Sequence, residues 1–160
     1  MIEIKEKTSV LFVCMGNICR SPTSEGVFRH FVEQAELSDC VEVDSAGTHV
    51  YHTNEPADRR SSAAAVRRGY SLSGIRARRV QEDDFERFDF IVAMDRDNLA
   101  NLQAQSASEH RHKISLFLAH AAGPEDEVPD PYYGGAAGFE RVLDLVEEAS
   151  RGLLETLKQS

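Results

Sequence analysis

The chain has 160 residues, 41% of them apolar, and a formal net charge of −9. That length and composition support a sizeable core without external staples, and no linker-like break divides residues 1–160, which read as a single domain. A membrane span is excluded because no apolar run approaches ~18 residues, and three cysteines, an odd number, do not make a disulfide framework.

The start, Met1-Ile2-Glu3-Ile4-Lys5-Glu6-Lys7, is charged and lacks the apolar stretch of a signal peptide, so a cytoplasmic protein is expected. Ser9 to Val13 is a continuous apolar run that reads as a buried parallel strand. It leads into Cys14-Met15-Gly16-Asn17-Ile18-Cys19-Arg20-Ser21-Pro22. Pro22 suits the first turn of a helix, where its missing N–H would be unpaired anyway. Val27, Phe28, Phe31, Val32 and Ala35 give that helix, over 22–36, an apolar face. Further strands read at Val41–Ala46, Phe88–Met94 and Lys113–Phe117, with helices over 57–69, 96–106 and 137–158. Strands separated by helices predict a three-layer α/β/α fold with a parallel sheet and ligands beyond the strands' carboxyl ends. Cys14, Ser45 and Asp95 fall at or just past such ends.

A cysteine and an arginine separated by five residues, at a strand-to-helix turn, can bend around one small anion. The intervening N–H groups and the helix N-terminus add positive potential, and a phosphate fits best. A free thiol titrates near ~8.5 and is lowered in such surroundings, with Ser21 able to donate to the sulfur. Arg20 offers a planar fork matched to two phosphoryl oxygens. The chemistry implied is attack of the Cys14 thiolate on phosphorus, giving a phosphocysteine. A lone cysteine at a strand end is more often a small buried hydrophobe, but not with Gly16, Asn17, Arg20, Ser21 and Pro22 around it. A phosphatase must also protonate the leaving oxygen and then activate water. Asp130, fixed between Pro129 and Pro131 in the loop 125–135, can do both in turn. The neighbouring Glu125, Asp126 and Glu127 read as solvated surface.

The segment Val13 to Pro22 resembles the phosphate loop of the low-molecular-weight protein tyrosine phosphatases. Asp44–Thr48, Glu55–Asp58, Ala77-Arg78, Met94-Asp95 with Asn98-Leu99, and Asp130-Pro131-Tyr132-Tyr133 are similar to family segments in the same order. The resemblance implies a four-stranded sheet of order 2-1-3-4, Cys14 as nucleophile, Arg20 as phosphate ligand and Asp130 as general acid. Asn17 and Ser21 would hold the loop and thiolate, with Met15, Gly16, Ile18 and Cys19 completing the substrate cradle. Tyr51 and Tyr132 would wall it from opposite sides. The partners implied are tyrosine-phosphorylated proteins or peptides, with no membrane or nucleic acid and no cofactor or metal, for a monomer or weakly self-associating protein. One departure stands out: many members carry a histidine that braces the phosphate loop where this chain has Ile75.

Three other functions are distinguishable. Arginine phosphatases on this scaffold carry threonine in place of Ile18. Arsenate reductases need a downstream cysteine relay, and here only Cys40 lies beyond the loop. A phosphoprotein-binding module needs neither Cys14 nor Asp130. Several motifs fail outright. Gly16 is not followed by Gly-Lys-Ser/Thr, Cys14 and Cys19 lack a second cysteine pair for zinc, and Asp95-Arg96-Asp97 lacks the glycine and glutamate of a calcium loop. His110 and His112 read as exposed, and His49 and His52 as rim residues without a catalytic role. Charge is uneven: seven arginines in 59–79, with no acidic residue, leave −16 on the rest. That segment reads as a brace against acidic neighbours rather than a nucleic-acid patch. Finally, Cys14 and Cys19 share one tight loop, so Cys19 either packs beneath it or, if the backbone permits the geometry, forms a protective disulfide with Cys14 after oxidation.

Overall fold

The computed structural model describes residues 7–51, 53–132 and 135–159. Met1 to Glu6, His52, Tyr133, Gly134 and Ser160 lie outside them. Four strands, β1 (Thr8–Cys14), β2 (Val41–Gly47), β3 (Phe90–Ala93) and β4 (Ile114–Leu116), form one sheet of order β2-β1-β3-β4. Every pairing is parallel, and the register sets Cys14 beside Gly47 and Val13 between Ala46 and Ala93. The carboxyl ends of β1, β2 and β3 therefore open on one edge.

Alternation along β1 divides the core. Val10 and Phe12 join the cluster that takes in Val27 and Phe28 of α1 (Arg20–Gln34) and Val142, Val146 and Leu153 of α5 (Ala136–Lys158). Leu11 and Val13 join the opposite cluster, with Phe85, Phe88, Ile91 and Leu102. Phe12 meets Phe28 and Phe117 edge-on, at centroid distances of 5.6 and 5.0 Å. The helices α2 (Arg59–Arg67), α3 (Asp84–Arg87) and α4 (Arg96–Gln105) complete the outer layers. Among the described residues, no helix is long and apolar enough to cross a membrane.

The differences from the expected boundaries have local causes. α1 starts at Arg20, two residues earlier than expected, leaving Pro22 inside the first turn as its chemistry allows. α2 starts at Arg59 because Asp58 caps it, accepting from the amides of Arg60 and Ser61. It ends near Gly69, which takes the left-handed φ of +88°. Asp95 caps α4 in the same way through the Asn98 amide. Phe88 and Asp89 are not in β3: Phe88 closes α3, and the Asp89 carboxylate accepts from Ser9 N–H and Oγ. The single turn of α3 is too short to produce a periodic signal, and β4 is trimmed by 3₁₀ turns at Ser108–Lys113 and Phe117–His120.

The arginine-rich segment braces the molecule. Arg68 pairs with Glu140, Asp144 and Glu147 of α5, Arg67 with Glu140, and Arg78 with Asp44 and Asp84.

Candidate active site

Cys14 ends β1 and Arg20 begins α1, so the five residues between them must turn sharply over the sheet edge. Asn17 makes that turn with φ of +58°, a conformation asparagine tolerates better than most residues. Gly47, beside Cys14 in the sheet, lets the loop settle. A Cβ there would lie 2.6 Å from the Met15 carbonyl oxygen.

The loop's hydrogen bonds run in one direction. Oδ1 of Asn17 accepts from the Arg78 amide at 2.9 Å, which fixes the side chain so that Nδ2 donates to Ser21 Oγ at 2.9 Å and Ser45 Oγ at 3.1 Å. The Ser21 oxygen is thus already an acceptor. Its own O–H is free to donate to Cys14 Sγ, 3.0 Å away and closer than the alternative Ala46 carbonyl at 3.4 Å. The Asn17 amide donates to the same sulfur at 3.2 Å. Behind Asn17, Ser45 donates to buried Glu25 at 2.6 Å, and Arg29 donates to the second Glu25 oxygen and the Val43 carbonyl. Burial pushes the Glu25 carboxyl above its ordinary range, opposed by the hydrogen bonds from Ser45 and Arg29. Asn17 is thus braced through Ser45 by Glu25. Ile75 is packed in the apolar core.

Arg20 is 4% exposed. Nη1 donates to Asp95 Oδ2 at 2.6 Å and to the Val128 carbonyl at 3.1 Å, while Nη2 lies 3.8 Å from Asp130 Oδ2. Burial opposes its charge, but Cys14 and Asp95 outweigh that and hold the guanidinium above its usual range. Val128 in turn donates to the Met94 carbonyl at 2.8 Å, which ties the Asp130 loop to the end of β3. The Tyr132 amide closes on Asp130 Oδ1 at 3.0 Å.

These groups surround a cavity of about 330 Å³. Nine of the eleven expected site residues line it: Cys14, Met15, Gly16, Ile18, Cys19, Arg20, Tyr51, Asp130 and Tyr132. Asn17 and Ser21 are buried behind the loop, where they hold it rather than face the opening. Tyr51 and Tyr132 are both exposed at the mouth. Glu55 is an additional wall residue that the sequence did not single out. Asp95 is the other addition. It sat at a strand end, but nothing in the sequence linked it to an arginine 75 positions earlier. Cys19 is buried, and burial, with Asp58, pushes its thiol up to about 12. The His49 ring pairs with the neighbouring Thr48 hydroxyl, and His52 lies outside the described residues. No three His, Cys, Asp or Glu side chains among the described residues are grouped as a metal site would need.

Fold and site together define a parallel α/β protein whose first strand delivers a cysteine, and whose following helix delivers an arginine, to one cavity at the sheet's carboxyl edge. Residues 9–160 match the family model described as low molecular weight phosphotyrosine protein phosphatase, and the chain belongs to that family. A low molecular weight protein-tyrosine-phosphatase of Streptomyces coelicolor is 46% identical over 154 residues, covering 94% of this chain and 93% of that protein. The human low molecular weight phosphotyrosine protein phosphatase is 39% identical over 149 residues, covering 92% and 94%. A crystal structure of a protein tyrosine phosphatase from Entamoeba histolytica superposes with a TM-score of 0.93 at 40% identity, covering 96% of this chain and 98% of that one.

Proposed function

We propose that this protein hydrolyses phosphotyrosine in proteins or peptides through a phosphocysteine intermediate on Cys14. The observation that carries the reading is the convergence of Cys14 Sγ, the Arg20 guanidinium and the Asp130 carboxyl on one cavity with aromatic walls. In the first step the Cys14 thiolate attacks phosphorus, the bond from phosphorus to the phenolic oxygen breaks, and protonated Asp130 gives its proton to that oxygen. In the second, Asp130 takes a proton from water, the water oxygen attacks phosphorus, and the sulfur–phosphorus bond breaks to return the thiolate and release phosphate. Arg20, held by Asp95 and Val128, binds the phosphoryl oxygens throughout.

Substrate class rests on the walls. Ile18 is apolar, so a guanidinium nitrogen finds no hydroxyl there, whereas a phenyl ring buries between Tyr51 and Tyr132. Phosphoserine is shorter and leaves its phosphorus away from Cys14, a misplacement worth ~10²-fold in rate. A panel of phosphotyrosine, phosphoserine, phosphothreonine and phosphoarginine substrates, with and without chelator, tests this. Phosphotyrosine should lead, chelator should have no effect, and Ile18→Thr should raise relative activity on phosphoarginine. Native preference for phosphoarginine would overturn the assignment. A reductase relay is disfavoured by geometry: Cys40 adjoins Val41, which pairs with Thr8, at the far end of β1 from Cys14. Seven strand residues separate those ends by roughly 20 Å.

Redox control follows from the same loop. Peroxide converts the Cys14 thiolate to a sulfenic acid, itself reduced to water, and Cys19 condenses with that acid to form a disulfide and release water. Only the Cys19 thiolate attacks, and with its pKa at about 12 that fraction rises about tenfold per pH unit from pH 7 upward. Recovery of activity by dithiol after mild peroxide should therefore be more complete at pH 9 than at pH 7, and Cys19→Ser should lose that gain. Recovery in Cys19→Ser as complete as in the wild type at both pH values would leave Cys19 a packing residue.

A further inference from the structure

Arg60, the second residue of α2, sets its guanidinium over the ring of Tyr132, a wall of the cavity, from outside it. Its edge makes a two-pronged pair with Asp58, Nε to Oδ1 at 3.2 Å and Nη2 to Oδ2 at 3.1 Å. Its face lies against two rings, with the guanidinium carbon 5.3 Å from the Tyr132 centroid and 4.8 Å from that of Phe139. Each partner belongs to a different part of the molecule. Asp58 caps α2, and its own amide donates to the Ile18 carbonyl at 2.8 Å, directly beneath the cysteine loop. Phe139 is buried in the first turn of α5. Tyr132 walls the cavity, and its amide holds the Asp130 carboxyl.

An exposed ion pair and an exposed cation–ring contact add little to folding stability. What this arrangement does supply is position. The planar fork fixes the guanidinium against the loop floor, and its faces then fix the tyrosine ring. We propose that Arg60 is a positioning residue of the active site, a clasp that sets the Tyr132 ring and, through the Tyr132 amide, the Asp130 carboxyl over Cys14. The proposal rests on the reading of Asp130 as general acid. A clasp of this kind works through two named groups, so its loss has a signature distinct from general loosening. The proton transfer suffers most where the leaving oxygen is a poor anion, while the phosphate cradle of Cys14 and Arg20 is untouched.

The test is steady-state kinetics of Arg60→Ala and Arg60→Lys, alone and combined with Asp130→Ala. The substrates are phosphotyrosine and p-nitrophenyl phosphate, with inorganic phosphate as a competitive inhibitor. Arg60→Ala should cut kcat on phosphotyrosine by about tenfold, a modest misplacement of an acid, and cut it less on p-nitrophenyl phosphate. Inhibition by phosphate should not change. In the Asp130→Ala background the kcat effect of Arg60→Ala should vanish, leaving only a higher KM for the aryl substrates. Arg60→Lys keeps the charge without the fork or the flat face and should behave like Arg60→Ala. Wild-type kinetics in Arg60→Lys would overturn the clasp in favour of charge alone, and an undiminished kcat loss in the Asp130→Ala background would overturn it as well. If Asp130→Ala itself shows no dependence on leaving group, the general-acid reading fails and the clasp with it. A dependence in Asp130→Ala that is absent in Arg60→Ala rejects the clasp alone.

Discussion

Cys14→Ser should retain the fold and the binding of phosphate or vanadate but lose turnover of phosphotyrosine by ~10⁴–10⁶-fold, the scale of removing a covalent nucleophile. Serine is close to cysteine in shape, its oxygen can accept from the Asn17 amide and Ser21 as the sulfur does, and the other bonds that shape the loop do not involve sulfur. Asn17 stays anchored by the Arg78 amide and by Ser21 and Ser45, and Arg20 by Asp95 and Val128. A phosphate analogue therefore meets the same amides and the same guanidinium. A hydroxyl, however, stays protonated at neutral pH, and no described base lies against this position to take its proton. The side chain hydrogen-bonded to it is the Ser21 hydroxyl, at 3.0 Å. Substrate binding with no turnover, read by calorimetry beside kinetics, is the expected pair of results. Full activity would remove Cys14 from the chemistry.

Asp130→Ala should cost ~10²–10⁴-fold on phosphotyrosine and clearly less on an ester whose leaving group is already a good anion. The Asp130 side chain is about two-fifths exposed and reaches within 3.8 Å of Arg20, so it stands at the cavity mouth where a leaving oxygen would emerge. Its backbone is set by Pro129 and Pro131 and by Val128, which is anchored to the end of β3. The loop should therefore keep its place when the carboxyl is removed, and the loss should reflect proton transfer. Equal losses across leaving groups would give Asp130 a positional role only.

Much of this was legible in the sequence because the signals are local. The apolar run before Cys14 marked the first strand, while the fold itself sorts Val10 and Phe12 from Leu11 and Val13 onto its two faces. Cys14, Arg20 and Ser21 lie within eight residues, so their meeting needed only one turn. Boundaries slipped where a single side chain decides them, as Asp58 and Asp95 do by capping. The strand order came from resemblance, since apolar spacing does not say which strands pair.

The less legible parts of the site are long-range. Glu25 and Arg29 sit four apart on α1, a spacing that ordinarily marks an exposed helix pair. β2 packs over Glu25 and turns that pair into the buried end of a chain reaching Asn17 through Ser45. Asp95 finds Arg20 only because β1 and β3 are neighbours in the sheet. Arg60 belonged to a run of seven arginines, several of which, like Arg67, Arg68 and Arg78, pair with carboxylates as Arg60 does with Asp58, and nothing in the run set it apart. Its contacts with Tyr132 and Phe139 exist only once the start of α5 is folded beside α2.

The phosphocysteine itself is the central claim, and Asp130→Ala is the protein in which to catch it. With a good leaving group the first step proceeds without the acid, while the second lacks its base, so the intermediate should accumulate. Rapid acid quench after mixing with p-nitrophenyl phosphate, followed by digestion and mass spectrometry, should find a phosphoryl group on the peptide carrying Cys14. It should be attached through sulfur and absent from the Cys14→Ser, Asp130→Ala double variant. A burst of nitrophenol equal to the enzyme concentration should accompany it. Release of nitrophenol with no burst and no adduct, or a phosphoryl group on any other side chain, would contradict the account.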